Sequence, residues 1–217
     1  MEFQAVIFDL DGTLLDTLQD LADATNGALQ HYGFPAHSTE TYKNYIGEGR
    51  EKLAELALPV ESRNIENIQK IVNMIDRLYS ENWAIHSRPY DGIPELLDEL
   101  TRRKIKTAVL SNKSHYFTNL MVARLLSKWQ FDIVLGASPV TPKKPDPSGV
   151  LHILSDIKVQ PGQAILLGDS DIDMKTALAA NLYPVGALWG FRTAHELLTG
   201  GAKLLVKSPG ELLKLFG

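Results

Sequence analysis

The sequence predicts an α/β protein: a Rossmann-like parallel sheet with helices on both faces, plus an all-helical domain inserted after the first strand. Three observations predict it. From Pro89 onward, short apolar strands alternate with helical segments, as βαβ units require. Some of those strands are apolar without alternation, Ile165 to Leu167 among them, which suits a sheet covered on both faces. The span from 16 to 87 carries helical periodicity and no strand-like run. The expected partition is a core of residues 1–15 and 88–217 and a helical domain over 16–87.

In chain order, Ala5 to Phe8 reads as a short buried strand that runs into Asp9 and Asp11 and is broken at Gly12 and Thr13. Leu18, Leu21, Ala22, Thr25, Leu29 and Tyr32 then recur at helical spacing, and Gly33 and Pro35 end that helix. Ser38 is placed to cap a short helix through Tyr45. A glycine-punctuated loop, Ile46 to Arg50, precedes a helix over Glu51 to Leu58. Ile65, Ile68, Ile71, Val72, Ile75, Leu78, Tyr79 and Trp83 mark one face of a long helix from Ile65 to Trp83. Ile93 to Leu100 is a helix, and Ala108 to Leu110 a strand ending at Ser111 and Asn112. Ser114 caps the next helix. Phe131 to Leu135 is a strand, and Pro147 opens a helix. Ala164 to Leu167 is a strand ending at Gly168 and Asp169, followed by a helix carrying Asp173. Val185 to Leu188 and Leu204 to Val206 are further strands. Ser208-Pro209-Gly210-Glu211 has the pattern of a capping box opening the last helix.

The bulk chemistry narrows the class. The formal net charge of -4 gives no basic surface for nucleic acid or an anionic membrane. There are no cysteines, so disulfides, thiolate metal sites and a cysteine nucleophile are excluded. No apolar run approaches the ~20 residues that span a bilayer, and the start of the chain lacks a basic signal-peptide region. The expectation is a cytoplasmic protein, monomer or homodimer.

In an open parallel sheet, ligands bind at the carboxyl ends of the strands. Three strands here end in polar groups: Asp9 and Asp11, Ser111 and Asn112, and Asp169 with Asp173 one helical turn on. Any one of these could simply cap a strand. Together they make an oxygen-rich site that suits a hard cation, and magnesium fits best because it takes a few carboxylates, waters and a substrate phosphate. One of the two acids of the first strand could attack phosphorus while the other carries the proton of the leaving alcohol. Such a site requires a cation from the chain. Lys143-Lys144-Pro145-Asp146-Pro147 supplies one on a loop held by two prolines, with Lys144 the better placed.

With these residues in view, the chain resembles the haloacid dehalogenase superfamily, most closely its phosphoglycolate phosphatase-like members. Asp9-Leu-Asp-Gly-Thr-Leu-Leu-Asp-Thr17 is similar to the first motif, Ser111-Asn-Lys113 to the second, Lys144-Pro-Asp-Pro147 to the third and Gly168-Asp-Ser-Asp-Ile-Asp173 to the fourth, all in family order. Tyr90 to Pro94 and Trp189 to Arg192 also resemble stretches found there. The resemblance implies Asp9 as nucleophile, forming an aspartyl-phosphate, and Asp11 as general acid and then base. It implies magnesium held by Asp9, the backbone carbonyl of Asp11 and Asp169, with Asp173 as a ligand or as outer-shell support. Ser111 and Lys144 would bind the transferring phosphoryl group, helped by amides near Gly12 and Asn112. The helical insertion would be a cap that closes over the site. Within it, the Gly47 loop and Arg50 are candidates for substrate binding, Arg50 through a bidentate pair with a carboxylate. Thr17 would line the entrance. The presence of Asp11 disfavours dehalogenation.

The function so implied is a magnesium-dependent phosphatase acting on a small phosphorylated metabolite, 2-phosphoglycolate being one candidate. The alternative is a phosphosugar mutase of the beta-phosphoglucomutase type. Phosphonate hydrolysis, for which Lys43 or Lys52 would have to form a Schiff base, ranks third. A phospho-accepting regulatory domain is the reading from another class; such domains are shorter, lack the insertion and lack an acid at the position of Asp11.

Overall fold

Four consecutive apolar residues, Ala5–Phe8, form strand β1 of the computed structural model, which describes residues 3–216. A two-residue strand, Leu15–Asp16 (β2), follows. The chain divides into two compact units: Asp16–Arg88, and the remainder, up to Leu15 and from Pro89 onward.

The first unit is helical, built of α1 (Leu18–His31), α2 (Thr39–Tyr42), α3 (Arg50–Ala57) and α4 (Ile65–Asn82). Leu21, Ala22, Thr25, Ala28 and Leu29 form the buried stripe of α1, which packs against Ile71, Val72, Ile75 and Tyr79 of α4. Asn64 starts α4 by accepting the N–H of Asn67 at 2.9 Å. A buried carboxylate closes the unit. Asp20 of α1 accepts the backbone N–H of His86 at 3.0 and 3.1 Å, that of Ser87 at 2.8 Å and the Ser87 hydroxyl at 2.7 Å. Removing the acceptor strands these buried donors. Asp20→Ala is therefore expected to lower the unfolding free energy by roughly 2–4 kcal/mol in urea titrations, and Asp20→Asn, which keeps one acceptor oxygen, by less. A loss below ~0.5 kcal/mol would contradict this role for Asp20.

The chain returns to the second unit within β3 (Arg88–Pro89), and that unit continues with α5 (Ile93–Arg102), β4 (Lys106–Ser114), α6 (His115–Leu125), β5 (Ile133–Ala137), α7 (Ser148–Ile157), β6 (Ala164–Gly168), α8 (Asp171–Ala179), β7 (Tyr183–Ala187), α9 (Ala194–Gly200) and β8 (Leu204–Val206). Six strands form one parallel sheet in the order β5-β4-β1-β6-β7-β8; β2 and β3 pair separately. Side chains alternate across the sheet. Ile7, Leu110 and Leu166 meet Val150, Ile153 and Leu154 of α7 and Ala177 of α8 in one core cluster. Val6 and Phe8 point the other way and are equally inaccessible, so both faces are covered. Among the described residues no helix is long and apolar enough to cross a membrane.

Register places the strand ends together. Phe8 lies between Val109 of β4 and Leu167 of β6, so the residues after it come level with the last turns of both neighbours. The chain passes from β1 to β4 and β5 on one side, then crosses back to β6 on the other. The crevice at such a reversal is where open α/β sheets bind ligands.

Several local expectations are corrected. β4 does not stop at Leu110 but runs to Ser114, with a break in register between Ser111 and Ser114. β5 begins at Ile133 rather than Phe131. The helix after Ser38 ends at Tyr42, and Ser38 caps no backbone N–H; its hydroxyl pairs with that of Thr41. The last segment, Pro209–Leu215, is a 3₁₀ helix without a capping box, because Glu211 accepts the N–H of Lys207 instead of serving Ser208.

Candidate active site

Two strands and one helix bring three acids together. β1 hands over to Asp9, whose N–H still reaches the carbonyl of Leu167 at 2.9 Å. β6 ends at Gly168 and delivers Asp169. The first turn of α8 carries Asp173. One carboxylate oxygen from each lies within 4.8 Å of the others, and all three residues are buried. Asp173 is fixed by a capping box: its Oδ2 accepts the N–H of Ser170 at 3.1 Å and the Ser170 hydroxyl at 2.6 Å, while the Ser170 hydroxyl accepts the Asp173 N–H at 3.3 Å. That leaves Oδ1 to face the cluster. Asp169 is held from both sides, accepting the Thr13 hydroxyl at 3.1 Å on Oδ1 and the N–H of Phe191 at 2.8 Å on Oδ2.

The close approach requires glycine. A Cβ at Gly12, where φ is +84°, would stand 2.2 Å from Oδ2 of Asp169, and one at Gly190 2.3 Å from the Asp169 Cβ. The Trp189 indole N–H donates to the carbonyl of Thr13 at 3.0 Å, tying the 189–191 stretch to the loop after β1.

Lys144 provides the counter-charge. Its buried Nζ lies 2.8 Å from Oδ1 of Asp9 and 2.6 Å from Oδ1 of Asp173. The loop that carries it is clamped by Asn112, whose Oδ1 accepts the Lys144 N–H at 2.7 Å and whose Nδ2 donates to the Lys144 carbonyl at 3.1 Å. Burial alone would pull the lysine down, but Asp173 and Asp9 outweigh it and raise its pKa above the ordinary value. The acids are left short of positive charge. Burial, with repulsion from Asp173 and Asp169, pushes Asp9 up to about 8 despite Lys144. Burial and Asp173 push Asp169 up to about 7.

Three carboxylates and one ammonium leave a formal charge of -2 in a buried, oxygen-only cluster. That is the charge and donor set a magnesium ion matches, and with no sulfur or imidazole in it a softer metal has less to recommend it. The residues present fit the ion, and Asp9, Asp169 and Asp173 are the side chains that would hold it.

Asp11 stands apart from the three. Its two carboxylate oxygens accept from Nζ of Lys113 at 3.0 and 3.1 Å. Ser111 is buried two residues beyond Val109, the β4 partner of Phe8, and its Oγ accepts the N–H of Lys113 at 3.2 Å. The expected phosphate-binding amide at Gly12 is engaged elsewhere: it donates to the carbonyl of Leu15 at 2.9 Å, while the N–H groups of Thr13, Leu14 and Leu15 turn to Leu10. What Gly12 contributes is room for Asp169.

Thr17, Gly47 and Arg50 belong to the helical unit. Thr17 is buried at the start of α1, and its side chain makes no capping hydrogen bond there. Gly47 and Gly49 take φ of +132° and +90° in the loop before α3. The half-exposed guanidinium of Arg50 pairs with Asp76 and, at 3.2 Å, with Glu51. Sequence reading did not single out Lys113, Thr13, Ser170 or the Trp189 stretch as parts of the site. Lys113 and Ser170 lie inside recognised motifs, so nearness to Asn112 and Asp169 was the signal available.

The model of the haloacid dehalogenase-like hydrolases matches residues 6–187. A phosphoglycolate phosphatase of Nitrosospira multiformis is 33% identical, over 99% of this chain and 96% of the relative. An N-acetylmuramic acid 6-phosphate phosphatase of Pseudomonas aeruginosa is 30% identical, over 98% and 94%. Among solved structures, a candidate phosphoglycolate phosphatase from Lactobacillus delbrueckii subsp. bulgaricus superposes with a TM-score of 0.94 at 27% identity, covering 100% of both chains.

Proposed function

The chain belongs to the haloacid dehalogenase-like hydrolases, and from that premise we propose that it is a magnesium-dependent phosphatase of small phosphate monoesters that works through an aspartyl-phosphate on Asp9. The observation that carries the reading is the state of Asp9: a buried carboxylate at the end of β1, paired with Lys144 and grouped with Asp169 and Asp173.

Both protein donors to Asp9 fall on one oxygen. Lys144 Nζ and the N–H of Leu10, at 2.8 and 2.7 Å, engage Oδ1, so Oδ2 is the oxygen available to attack phosphorus. As the Oδ2–P bond forms, the ester P–O bond breaks and Asp11 gives its proton to the departing oxygen. In the second half, water attacks phosphorus and Asp11 takes its proton, so that inorganic phosphate leaves and the Asp9 carboxylate is restored. Ser111 accepts the Lys113 N–H and retains its own proton for a phosphoryl oxygen. Lys144 balances charge on the same oxygens. Magnesium, when bound, supplies the remaining positive charge at the transferring phosphoryl group.

For the substrate we propose a phosphate monoester that also bears a carboxylate, 2-phosphoglycolate first. The names of the relatives support this class, since phosphoglycolate and N-acetylmuramic acid 6-phosphate both combine a phosphate ester with an acid. Arg50 is the proposed carboxylate partner, and to serve it must exchange Asp76 for the substrate.

The test is phosphate release from these two compounds, hexose phosphates and 4-nitrophenyl phosphate. With magnesium, 2-phosphoglycolate is expected to be cleaved with kcat/KM of ~10⁴ M⁻¹s⁻¹ or more. EDTA should abolish the reaction and excess magnesium restore it. Magnesium at a hundredfold its Kd should also stabilise the fold by about 2.7 kcal/mol, read as a rise in Tm. Activity indifferent to EDTA would defeat the metal assignment, and isomerisation of a hexose phosphate without phosphate release would identify a mutase.

A further inference from the structure

β4 carries a bulge just where it meets the site. Ser111 pairs with Gly136 of β5, and the next pair is Ser114 with Ala137, so Asn112 and Lys113 are extra residues on the β4 side. A bulge re-aims side chains that regular alternation would fix. Here it sends Asn112 to the Lys144 loop and Lys113 to Asp11.

The bulge is held rigidly. The Lys113 N–H donates to Ser111 Oγ at 3.2 Å, and the Thr118 hydroxyl donates to the Ser114 carbonyl at 2.9 Å with the Lys113 carbonyl 3.3 Å away. Gly136 lies so close that a Cβ there would come within 2.7 Å of the Lys113 carbonyl oxygen. Asp11 is equally fixed, on the tight loop that turns back through the Gly12–Leu15 hydrogen bond. The pair bridges these two rigid anchors, with the lysine and aspartate side chains only 8% and 12% exposed. Nζ contacts both oxygens of the carboxylate, which fixes the rotation of its plane as well as its position.

A long lysine loses rotamer freedom when it is immobilised. Lys144 already supplies the charge for the buried acids, and the Lys113–Asp11 pair is neutral by itself, so charge balance among the three acids does not require it. We propose that Lys113 is a positioning residue for proton transfer: its two-pronged hold orients the Asp11 carboxylate toward the oxygen that leaves phosphorus. The inference rests on the reading of Asp11 as the acid of the first half-reaction. Asp11 enters that step protonated, having taken a proton from solvent on one oxygen while the other stays on Nζ; that proton moves to the departing oxygen as the P–O bond breaks, Lys113 keeps its own protons, and the carboxylate left behind is again held by Nζ on both oxygens.

A misaligned acid matters in proportion to how much the leaving group needs a proton. Dinitrophenolate leaves without one, whereas an alkoxide does not. The experiment therefore measures kcat/KM, which reports steps up to loss of the leaving group, for a series from dinitrophenyl phosphate through phenyl phosphate to 2-phosphoglycolate. Lys113→Met is expected to lower kcat/KM by about 10- to 100-fold at the alkyl end and less than about threefold at the dinitrophenyl end. Lys113→Arg, which keeps two donors, should recover part of the loss. If Lys113→Met fails to fold, Lys113→Gln serves as the second variant with the same expectation. An equal loss across the series would mark Lys113 as a structural or substrate-anchoring residue and overturn the proposal; so would a gain. Asp11→Asn is run beside it. A steep leaving-group dependence for Asp11→Asn alone removes the role of Lys113 and leaves the phosphatase mechanism standing. No such dependence in either variant removes Asp11 as the acid, and the proposal with it.

Discussion

Replacing Asp9 by asparagine is expected to lower kcat on any phosphate monoester by at least ~10³-fold while leaving the protein folded. The rate loss is equivalent to about 4 kcal/mol or more of transition-state stabilisation. The carboxamide oxygen is a poor nucleophile, and neither of the other two acids of the cluster presents a free oxygen in the same way: Asp173 Oδ2 is used in the α8 cap and both Asp169 oxygens accept protein donors. The fold should survive because the charge at position 9 is one that burial disfavours. Asparagine keeps an acceptor for Leu10 and Lys144, and Lys144 retains Asp173. The measurement is steady-state phosphate release together with a thermal melt. A kcat within tenfold of the parent would remove Asp9 as the nucleophile, and a collapse of the melt would show that its charge is structural.

Lys144→Met should have the larger effect on stability. It removes the one ammonium between Asp9 and Asp173 and leaves three clustered carboxylates unpaired. Breaking a buried pair from one side costs about 3–5 kcal/mol. For a chain of this length that is a fall in Tm of roughly 6–20 °C. The metal-free variant should also be pH-sensitive in a defined direction. A carboxyl with a higher pKa folded than unfolded binds more protons in the native state, so stability drops as pH rises through the interval between the two values. Asp9 spans 3.8 to about 8 and Asp169 3.8 to about 7 with Lys144 present, and its loss can only raise Asp9 further. The Tm of the metal-free variant should therefore fall from pH 5 to pH 8. A Tm independent of pH would mean that lost packing around the lysine stem, not unpaired charge, sets the cost.

Much of the architecture was legible because the central strands are uninterrupted apolar runs. Ala5–Phe8 and Ala164–Gly168 are buried on both faces, and their ends are marked by acids. The three polar strand ends were legible for the same reason. What periodicity does not carry is pairing. The extension of β4 through Ser111, Asn112 and Lys113 is a run of polar residues that reads as a loop, and it is strand only because β5 lies beside it. Arg50 drew notice as a cation beside a glycine loop, but its pairing with Asp76, 26 residues further on, depends on how α3 and α4 pack. Gly12 was read as a source of an N–H, when its decisive property is a missing Cβ next to an aspartate 157 residues away.

The Asn112 clamp has a consequence for how this site can change. Asn112 reads only the main chain of residue 144, its N–H and its carbonyl, and never the side chain. Where the loop sits and what charge it presents are thus written by different residues. A new side chain at 144 would inherit the old address, so the chemistry at that point can be exchanged without rebuilding the loop. A change at 112 would displace a charge that Asn112 never touches.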